Sequence, residues 1–145
     1  MKLRITKLLK SYLKEAHYIY NYYIENSFSN FEEKKISFKN FCNNYNYIKS
    51  KKLPYLVALY EEKVVGIAYL NNFREKSGYR YAYENTIYIH PNYLKKGIGN
   101  KLLKKLLSIS RKNKKIKRIV AVIGNIDSKG SIKIHKKNGF IKMGK

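Results

Sequence analysis

Acidic residues are scarce in this sequence. Its 145 residues include 9 Asp and Glu against 32 Lys and Arg, which gives a formal net charge of +23. The single cysteine, Cys42, cannot form an internal disulfide, and with three histidines it suggests no metal cluster. No run approaches the roughly 18 apolar residues of a membrane-spanning helix, and the N-terminus lacks the apolar block of a secretory signal. These absences argue against a disulfide scaffold, a zinc finger and a membrane protein, and we expect a cytoplasmic protein without a metal.

The positive charge has two explanations that the sequence alone leaves open. Basic chains attract nucleic acids and other phosphate-bearing ligands. A genome rich in A and T would also favour Lys, Asn, Ile and Tyr, all of which are abundant here. That bias does not explain why acidic residues are rare, so anionic ligands stay of interest. Because no helix-turn-helix, zinc or RNA-binding signature accompanies the charge, the sequence disfavours a nucleic-acid partner.

The length and the 44% of hydrophobic residues suit one domain spanning residues 1–145. Apolar residues at three- and four-residue steps predict a first helix from Tyr12 to Asn26, with Ser11 as its N-cap. A second helix is predicted from about Ser37, and its apolar face is interpreted as core: Phe38, Phe41, Cys42 and Tyr45.

Strands and helices are predicted to alternate in the rest of the chain. The predicted strands are residues 2–5, 55–60 and 64–70 (a hairpin), 80–90 (closed by Pro91), 118–123 (a central strand) and the beginning of another at 140–143. One helix follows Gly97 with a buried stripe of Leu102, Leu103, Leu106 and Leu107, and a shorter one spans 131–137 and ends at Asn138–Gly139. The order βααβββαβαβ predicts an α/β fold whose sheet has antiparallel and parallel parts.

The strongest local signal is Gly97-Ile98-Gly99, which lies between a predicted strand and a predicted helix. Glycines let a backbone approach a ligand, and the free N–H groups at a helix start bind phosphate. Lys95, Lys96 and Lys101 add positive charge, and residues 85–126 contain eleven Lys or Arg and no acidic residue. The pattern predicts a pyrophosphate-binding loop, and it does not follow the Walker spacing.

These residues resemble a known family. The run Ile87-Tyr88-Ile89-His90-Pro91-Asn92-Tyr93-Leu94-Lys95-Lys96-Gly97-Ile98-Gly99 is similar to the acetyl-coenzyme A motif of the GNAT N-acetyltransferases, and more narrowly to the phosphinothricin and methionine-sulfoximine acetyltransferase group. Further matches follow in order over nearly the whole chain: residues 19–24, 30–31, 64–69, 83–89, 120–124 and 131–140. The resemblance implies a GNAT-like mixed sheet flanked by helices, antiparallel in its N-terminal part and parallel around the cofactor.

The resemblance also implies an activity, the direct transfer of acetyl from acetyl-CoA to the amine of a small molecule such as an amino acid or its analogue. Glu84 takes the place of the general base, and backbone N–H groups from Tyr88 to His90 polarise the thioester carbonyl. His135 orients the acceptor, assists the leaving thiolate or packs the last helix. The implied cofactor contacts are Ile87, Tyr88, Ile89, Lys95, Lys96, Gly97, Ile98, Gly99, Asn100, Lys101 and Ser128. The implied acceptor pocket is Phe31, Phe73, Lys76 and Tyr79, in which a cation pairs with a substrate carboxylate.

The sequence departs from the family pattern at four places. Leu94 replaces a leading Gln or Arg, Lys76 replaces an Arg that could grip a carboxylate with two bonds, and Ser128 replaces an Asn in a loop with one extra residue. The sequence also ends at Lys145, before the final strand that relatives insert into the sheet, so we expect the sheet to lack that strand. An alternative is therefore a catalytically impaired homologue that binds CoA or a polyanion, and a homodimer stays open.

Overall fold

The computed structural model describes residues 2–26, 34–73, 82–122 and 129–142. Its strands are β1 (Arg4–Lys7), β2 (Tyr55–Tyr60), β3 (Lys63–Asn72), β4 (Ala82–Ile89) and β5 (Arg118–Val120). Its α-helices are α1 (Leu13–Asn26), α2 (Phe38–Ser50), α3 (Ile98–Arg111) and α4 (Lys129–Lys137). Short 3-10 turns, Lys10–Tyr12 and Pro91–Tyr93, precede α1 and follow β4.

The five strands form one sheet in the order β1-β2-β3-β4-β5. The first three pairings are antiparallel, and β4 pairs with β5 in parallel. This is the predicted mixed sheet, with the antiparallel part at its N-terminal side. The apolar runs of β2 and β3 are buried on both faces, which explains why they lack polar–apolar alternation.

Helices cover both faces of the sheet. The side chains of Leu102 and Ile98 in α3 lie against Gly66 of β3, while Tyr88 of β4 stacks on Tyr23 of α1 with ring centroids 4.7 Å apart. Because Gly66 pairs with Ile89, next to Tyr88 on β4, these contacts lie on opposite faces. The leucine stripe of α3 is buried as predicted: Leu102, Leu103, Leu106 and Leu107.

Of the two predicted helix caps, the one at the end of α4 is confirmed and the one before α1 is wrong. Ser37 caps α2 by accepting a hydrogen bond from the Asn40 N–H. At the end of α4, Gly139 adopts a φ of +94°, and the Phe140 N–H donates to the His135 carbonyl at 3.0 Å, which is the Schellman arrangement. Ser11, however, lies inside the 3-10 turn that precedes α1 and is not its N-cap. Of the predicted apolar face of α2, Phe41 is buried, Cys42 and Tyr45 are half-buried, and Phe38 is exposed.

Two strand predictions are corrected. The apolar run 118–123 was expected to be a central strand, but β5 ends at Val120 and is the last strand of the sheet in the part of the chain that the structure describes. Val122 is 64% exposed. An apolar run indicates burial, but it does not specify how many neighbouring strands provide it. Residues 140–142 form no strand, and Met143 lies outside the described residues.

Candidate active site

The two edges of β4 differ. Against β3, β4 is paired from Tyr83 to Ile89, whereas its pairing with β5 covers only Ala82, Tyr83 and Glu84. Beyond Glu84, β4 has no strand neighbour on that side among the described residues, and a gap opens there. We call the segment Asn85–Ile89 on this side the open edge of β4.

Backbone groups of alternate residues point into this gap. The N–H of His90 donates to the Val65 carbonyl at 2.8 Å, and the carbonyl of Ala82 accepts from the Phe73 N–H at 3.3 Å. Since backbone direction alternates along a strand, even-numbered residues of β4 face β3, and the N–H groups of Ile87 and Ile89 face the gap. We expected backbone N–H groups from Tyr88 to His90 to polarise a carbonyl. Of these three, the N–H groups of Tyr88 and His90 face β3, and that of Ile89 faces the gap.

The open edge leads into the start of α3. Lys95 (φ +60°) and Gly97 (φ +81°) both adopt left-handed conformations, and Gly97 is the N-cap of α3. Gly97 offers no side chain to accept from the first-turn N–H groups, and that turn contains no acidic residue. These amides and the positive end of the helix dipole suit an anion. Lys95, Lys96 and Lys101 are exposed around it.

The two glycines of the motif serve different purposes. A Cβ at Gly97 would meet nothing within 4 Å, so space is open where a ligand would approach. A Cβ at Gly99 would lie 3.3 Å from a methyl carbon of Ile134 in α4, so the second glycine allows the two helices to pack closely. Ile98 is buried in the core, and the Asn100 side chain accepts a hydrogen bond from Asn138 Nδ2 at 2.8 Å. The side chains of Ile98 and Asn100 thus support the loop, and only their backbone N–H groups are placed for a ligand.

Glu84 lies where the gap begins. It is the last residue of β4 that pairs with β5, opposite Val120, and its partner on β3 is Asn71. Glu84 is half-buried, and alternation along β4 places its side chain on the same face as Tyr88, towards α1. Along β4 the two open-edge amides follow it, that of Ile87 about 10 Å further on and that of Ile89 about 17 Å further on.

His135 lies on the other face. It is 5% exposed, its Nδ1 is 2.7 Å from the Ser131 carbonyl, and its Nε2 is 3.2 Å from Oδ1 of Asn85. Asn85 is adjacent to Glu84 on the strand, so the two side chains point to opposite faces. The structure brings His135 to β4 but does not place it beside Glu84.

The surroundings of His135 determine which of its ring nitrogens carries a proton. Burial lowers the pKa of His135, while the Ser131 carbonyl raises it by a smaller amount, which favours the neutral ring. With Nδ1–H donating to Ser131, Nε2 is an acceptor and needs a donor. Asn85 Nδ2 is buried without a partner among the described residues. Rotating the Asn85 side-chain amide by 180° places Nδ2 at the position where it donates to His135 Nε2, so both nitrogens gain a partner.

Only one of the remaining predicted site residues lies in the part of the chain that the structure describes. Phe73 follows β3 directly, beside the start of β4. Phe31, Lys76, Tyr79 and Ser128 lie outside the described residues. No three His, Cys, Asp or Glu side chains come together as a metal site within the described ranges, and none of the helices described there is long and apolar enough to cross a membrane.

The sequence assigned no site role to Tyr23 or Asn85, and it predicted Asn138 only as part of a helix C-terminus. Tyr23 donates to the carbonyl of Ile89 at 2.5 Å, and Asn138 joins α4 to α3. Tyr23 lies in the matched run 19–24 and Asn85 in the run 83–89, but only the fold shows which groups they bind.

Comparison with known proteins identifies the family of this chain. Residues 12–140 match the Acetyltransferase (GNAT) family. The chain belongs to the GNAT family. Its GNAT relatives include phosphinothricin N-acetyltransferase of Alcaligenes faecalis, which is 33% identical over 92 residues, covering 63% of this chain and 46% of the relative. The L-methionine sulfoximine/L-methionine sulfone acetyltransferase of Salmonella typhimurium is 34% identical over 89 residues, covering 60% of this chain and 50% of the relative.

A solved GNAT structure has the same fold. The phosphinothricin acetyltransferase of Sinorhizobium meliloti in complex with acetyl-CoA is 30% identical, with a TM-score of 0.90, and the match covers 99% of this chain and 77% of that one. The match to the two curated relatives spans about half of their length. The GNAT fold expected from the motifs is confirmed.

Proposed function

We propose that this chain is an acetyl-CoA-dependent N-acetyltransferase for small-molecule amines of the amino-acid or amino-acid-analogue class. The observation that carries the proposal is the gap beside β4, which joins the Ile87 and Ile89 amides to the start of α3, with Glu84 where the gap opens. The names of the two curated relatives and the acetyl-CoA complex of the S. meliloti enzyme support the donor and the acceptor class.

The site fits the donor by chemistry. A pyrophosphate needs N–H donors and positive charge, which the first turn of α3 with Lys95, Lys96 and Lys101 supplies. The acyl arm carries amide and thioester carbonyls, and the N–H groups of Ile87 and Ile89 are donors for them. When bound, acetyl-CoA would supply an electrophilic thioester.

Glu84 is the proposed general base. An ammonium has no lone pair with which to attack, so the acceptor must first lose a proton, to Glu84 directly or through water. Of the two N–H groups that face the gap, that of Ile87 is nearer to Glu84 along the strand, and it would donate to the thioester carbonyl oxygen, where negative charge develops during transfer. The products would be the acetylated amine and the free thiol of CoA.

The acceptor class rests on residues that lie partly outside the described part of the chain. We propose that Phe31, Phe73 and Tyr79 contact the acceptor and that Lys76 pairs with its carboxylate. For His135, the contacts with Ser131 and Asn85 favour positioning: the ring would hold β4 against α4 instead of contacting the acceptor.

Calorimetric titration of acetyl-CoA, at moderate and high salt, tests the proposal. We expect one site per chain and binding that persists at high salt, because the amide contacts do not depend on net charge. Thiol release on addition of amino-acid amines would then establish transfer. Binding that is absent, or that is lost at high salt, would contradict the proposal.

A second candidate, a polyanion-binding module, is favoured by one observation. The end of α2 meets the α3–β5 connection, where the Lys115 ammonium donates to the Lys51 carbonyl at 3.2 Å. Exposed cations gather there, about 20 Å along α3 from its N-terminus, and we call them the basic end: Lys49, Lys51, Lys52, Arg111, Lys112, Lys114, Lys115, Lys117 and Arg118.

Inorganic polyphosphate is a suitable probe for this candidate. A specific surface predicts that K112E/K114E/K117E weakens binding far more than K7E/K10E/K14E, which changes the net charge equally at exposed sites elsewhere. Equal losses would show that only the overall charge matters and would exclude a specific surface.

A further inference from the structure

The Ile89–His90 peptide of β4 is held from both sides. Its N–H donates to the Val65 carbonyl of β3 at 2.8 Å, and its C=O accepts from the Tyr23 hydroxyl of α1 at 2.5 Å. Because Ile89 faces the gap, the Tyr23 hydroxyl lies where a neighbouring strand would otherwise donate. A helix side chain therefore completes the hydrogen bonding of β4 at the end nearest the α3 loop.

The Tyr23 ring is itself fixed. It stacks on Tyr88 with an interplanar angle of 5° and centroids 4.7 Å apart, and Tyr22 contacts it edge-on at 5.1 Å. Burial raises the pKa of Tyr23 to about 12, so the hydroxyl keeps its proton, and with it the bond to Ile89, throughout the neutral range.

The bond also determines which groups the open edge presents. With one lone pair of its carbonyl taken by Tyr23, Ile89 offers the gap chiefly an N–H donor. The ligand group favoured at Ile89 is therefore a hydrogen-bond acceptor, such as an amide carbonyl oxygen of the donor's acyl arm. If the carbonyl were released, the peptide would keep only its bond to Val65, and the edge would present an acceptor beside the N–H donor.

We propose that Tyr23 is a positioning residue of the acetyl-donor site, which holds the Ile89 backbone so that its N–H is directed at a carbonyl oxygen in the acyl arm of the bound donor. The inference rests on the proposed function, since it assigns a positioning residue to the same site. Tyr23 acts through Ile89 and is not a catalytic residue.

Tyr23→Phe tests this inference, because it removes the hydroxyl and keeps the ring that stacks on Tyr88. We expect the KM for acetyl-CoA to rise about two- to tenfold, as for the loss of one neutral hydrogen bond, with the KM for the amine unchanged. The carbonyl ¹³C resonance of Ile89 should move upfield. Tyr22→Phe, on the same helix, is the matched control and should alter neither quantity.

The outcomes separate this inference from the proposed function. If the wild-type protein does not bind acetyl-CoA, the proposed function fails. If it binds, and Y23F has the wild-type KM for acetyl-CoA, the positioning role is wrong. A purely structural role would reduce the active fraction, and so kcat, without changing KM. Should Y23F not fold, fluorotyrosine at position 23 donates more strongly at nearly the same size, and it should move the Ile89 resonance downfield and lower KM.

Discussion

The two edges of β4 carry out different tasks with the same backbone. Towards β3, seven residue pairs close the edge, and towards β5, three pairs leave most of it open. The closed edge is supported by apolar packing between Gly66, Ile89 and α3. The open edge ends at a helix start without acidic residues. The contrast indicates that the closed edge provides rigidity and that the open edge provides hydrogen-bond donors to a ligand. The first two predictions below each test one edge, and the next two concern positions outside both edges, where the effects should be smaller.

Glu84→Gln should have the largest effect, at the beginning of the open edge. Removing a general base lowers kcat by about 10²–10⁴-fold. Because Gln has nearly the shape of Glu and the backbone pairing of residue 84 is kept, folding should be unaffected. Thiol release at saturating acetyl-CoA measures the rate. Glu61→Gln, at an exposed hairpin turn, is the control and should keep wild-type turnover. Unchanged turnover in E84Q would show that Glu84 is not the base.

Gly66→Ala should damage the closed edge. Its Cβ would lie 2.9 Å from a methyl carbon of Leu102 and 3.1 Å from one of Ile89. Such overpacking costs about 1–3 kcal/mol of unfolding free energy, measurable by urea titration. Gly130→Ala, where nothing lies within 4 Å, should not destabilise and gains up to about 1 kcal/mol from helix propensity. Equal stabilities for G66A and the wild type would show that the closed edge has room to adjust.

His135 links β4 to α4, and its titration should make this link depend on pH. Its folded-state pKa is lowered, mainly by burial, so below about pH 6.5 the unfolded chain binds a proton more readily than the folded one. The free energy of unfolding should therefore fall between pH 7 and pH 5. In His135→Gln the fall should be smaller. Identical pH profiles of unfolding for the two proteins would contradict a buried, neutral His135.

The smallest effect is expected at the β2–β3 turn, far from the gap. Glu61 and Glu62 both have positive φ, +50° and +62°, as a two-residue hairpin turn requires. Asn tolerates this region better than Glu, so Glu61→Asn should raise the free energy of unfolding by about 0.5–1 kcal/mol without changing acetyl-CoA binding. Glu61→Ala keeps the unfavourable conformation and should show no gain. A gain of the same size in E61A would assign the effect to lost charge.

The sequence predicted those parts of the fold that local patterns determine. The β2–β3 hairpin and the leucine stripe of α3 follow from periodicity, and Gly139 follows from the conformation that a helix C-terminus needs. The position of β5 could not be predicted, because its apolar residues indicate burial but not the number of neighbouring strands. The family motifs identified Glu84 and Gly97, while their place beside an open edge depends on where β5 ends.

The contacts that sequence reasoning missed are all long-range. Tyr23 and Ile89 are 66 residues apart, and Asn85 and His135 are 50 apart. In the sequence, Tyr23 belongs to an aromatic helix face, and Asn85 is an ordinary polar residue of a strand. Only the packing of α1 and α4 on opposite faces of β4 gives these side chains their partners.

Hydrogen exchange of the β4 amides, followed by NMR with and without acetyl-CoA, tests the central claim most directly. If the open edge binds the donor, exchange at Ile87 and Ile89 should slow about tenfold or more when acetyl-CoA is added, since each N–H gains a partner. The His90 amide, already bonded to Val65, should be slow in both states. Protection that is absent at Ile87 and Ile89 while acetyl-CoA is bound would contradict the account.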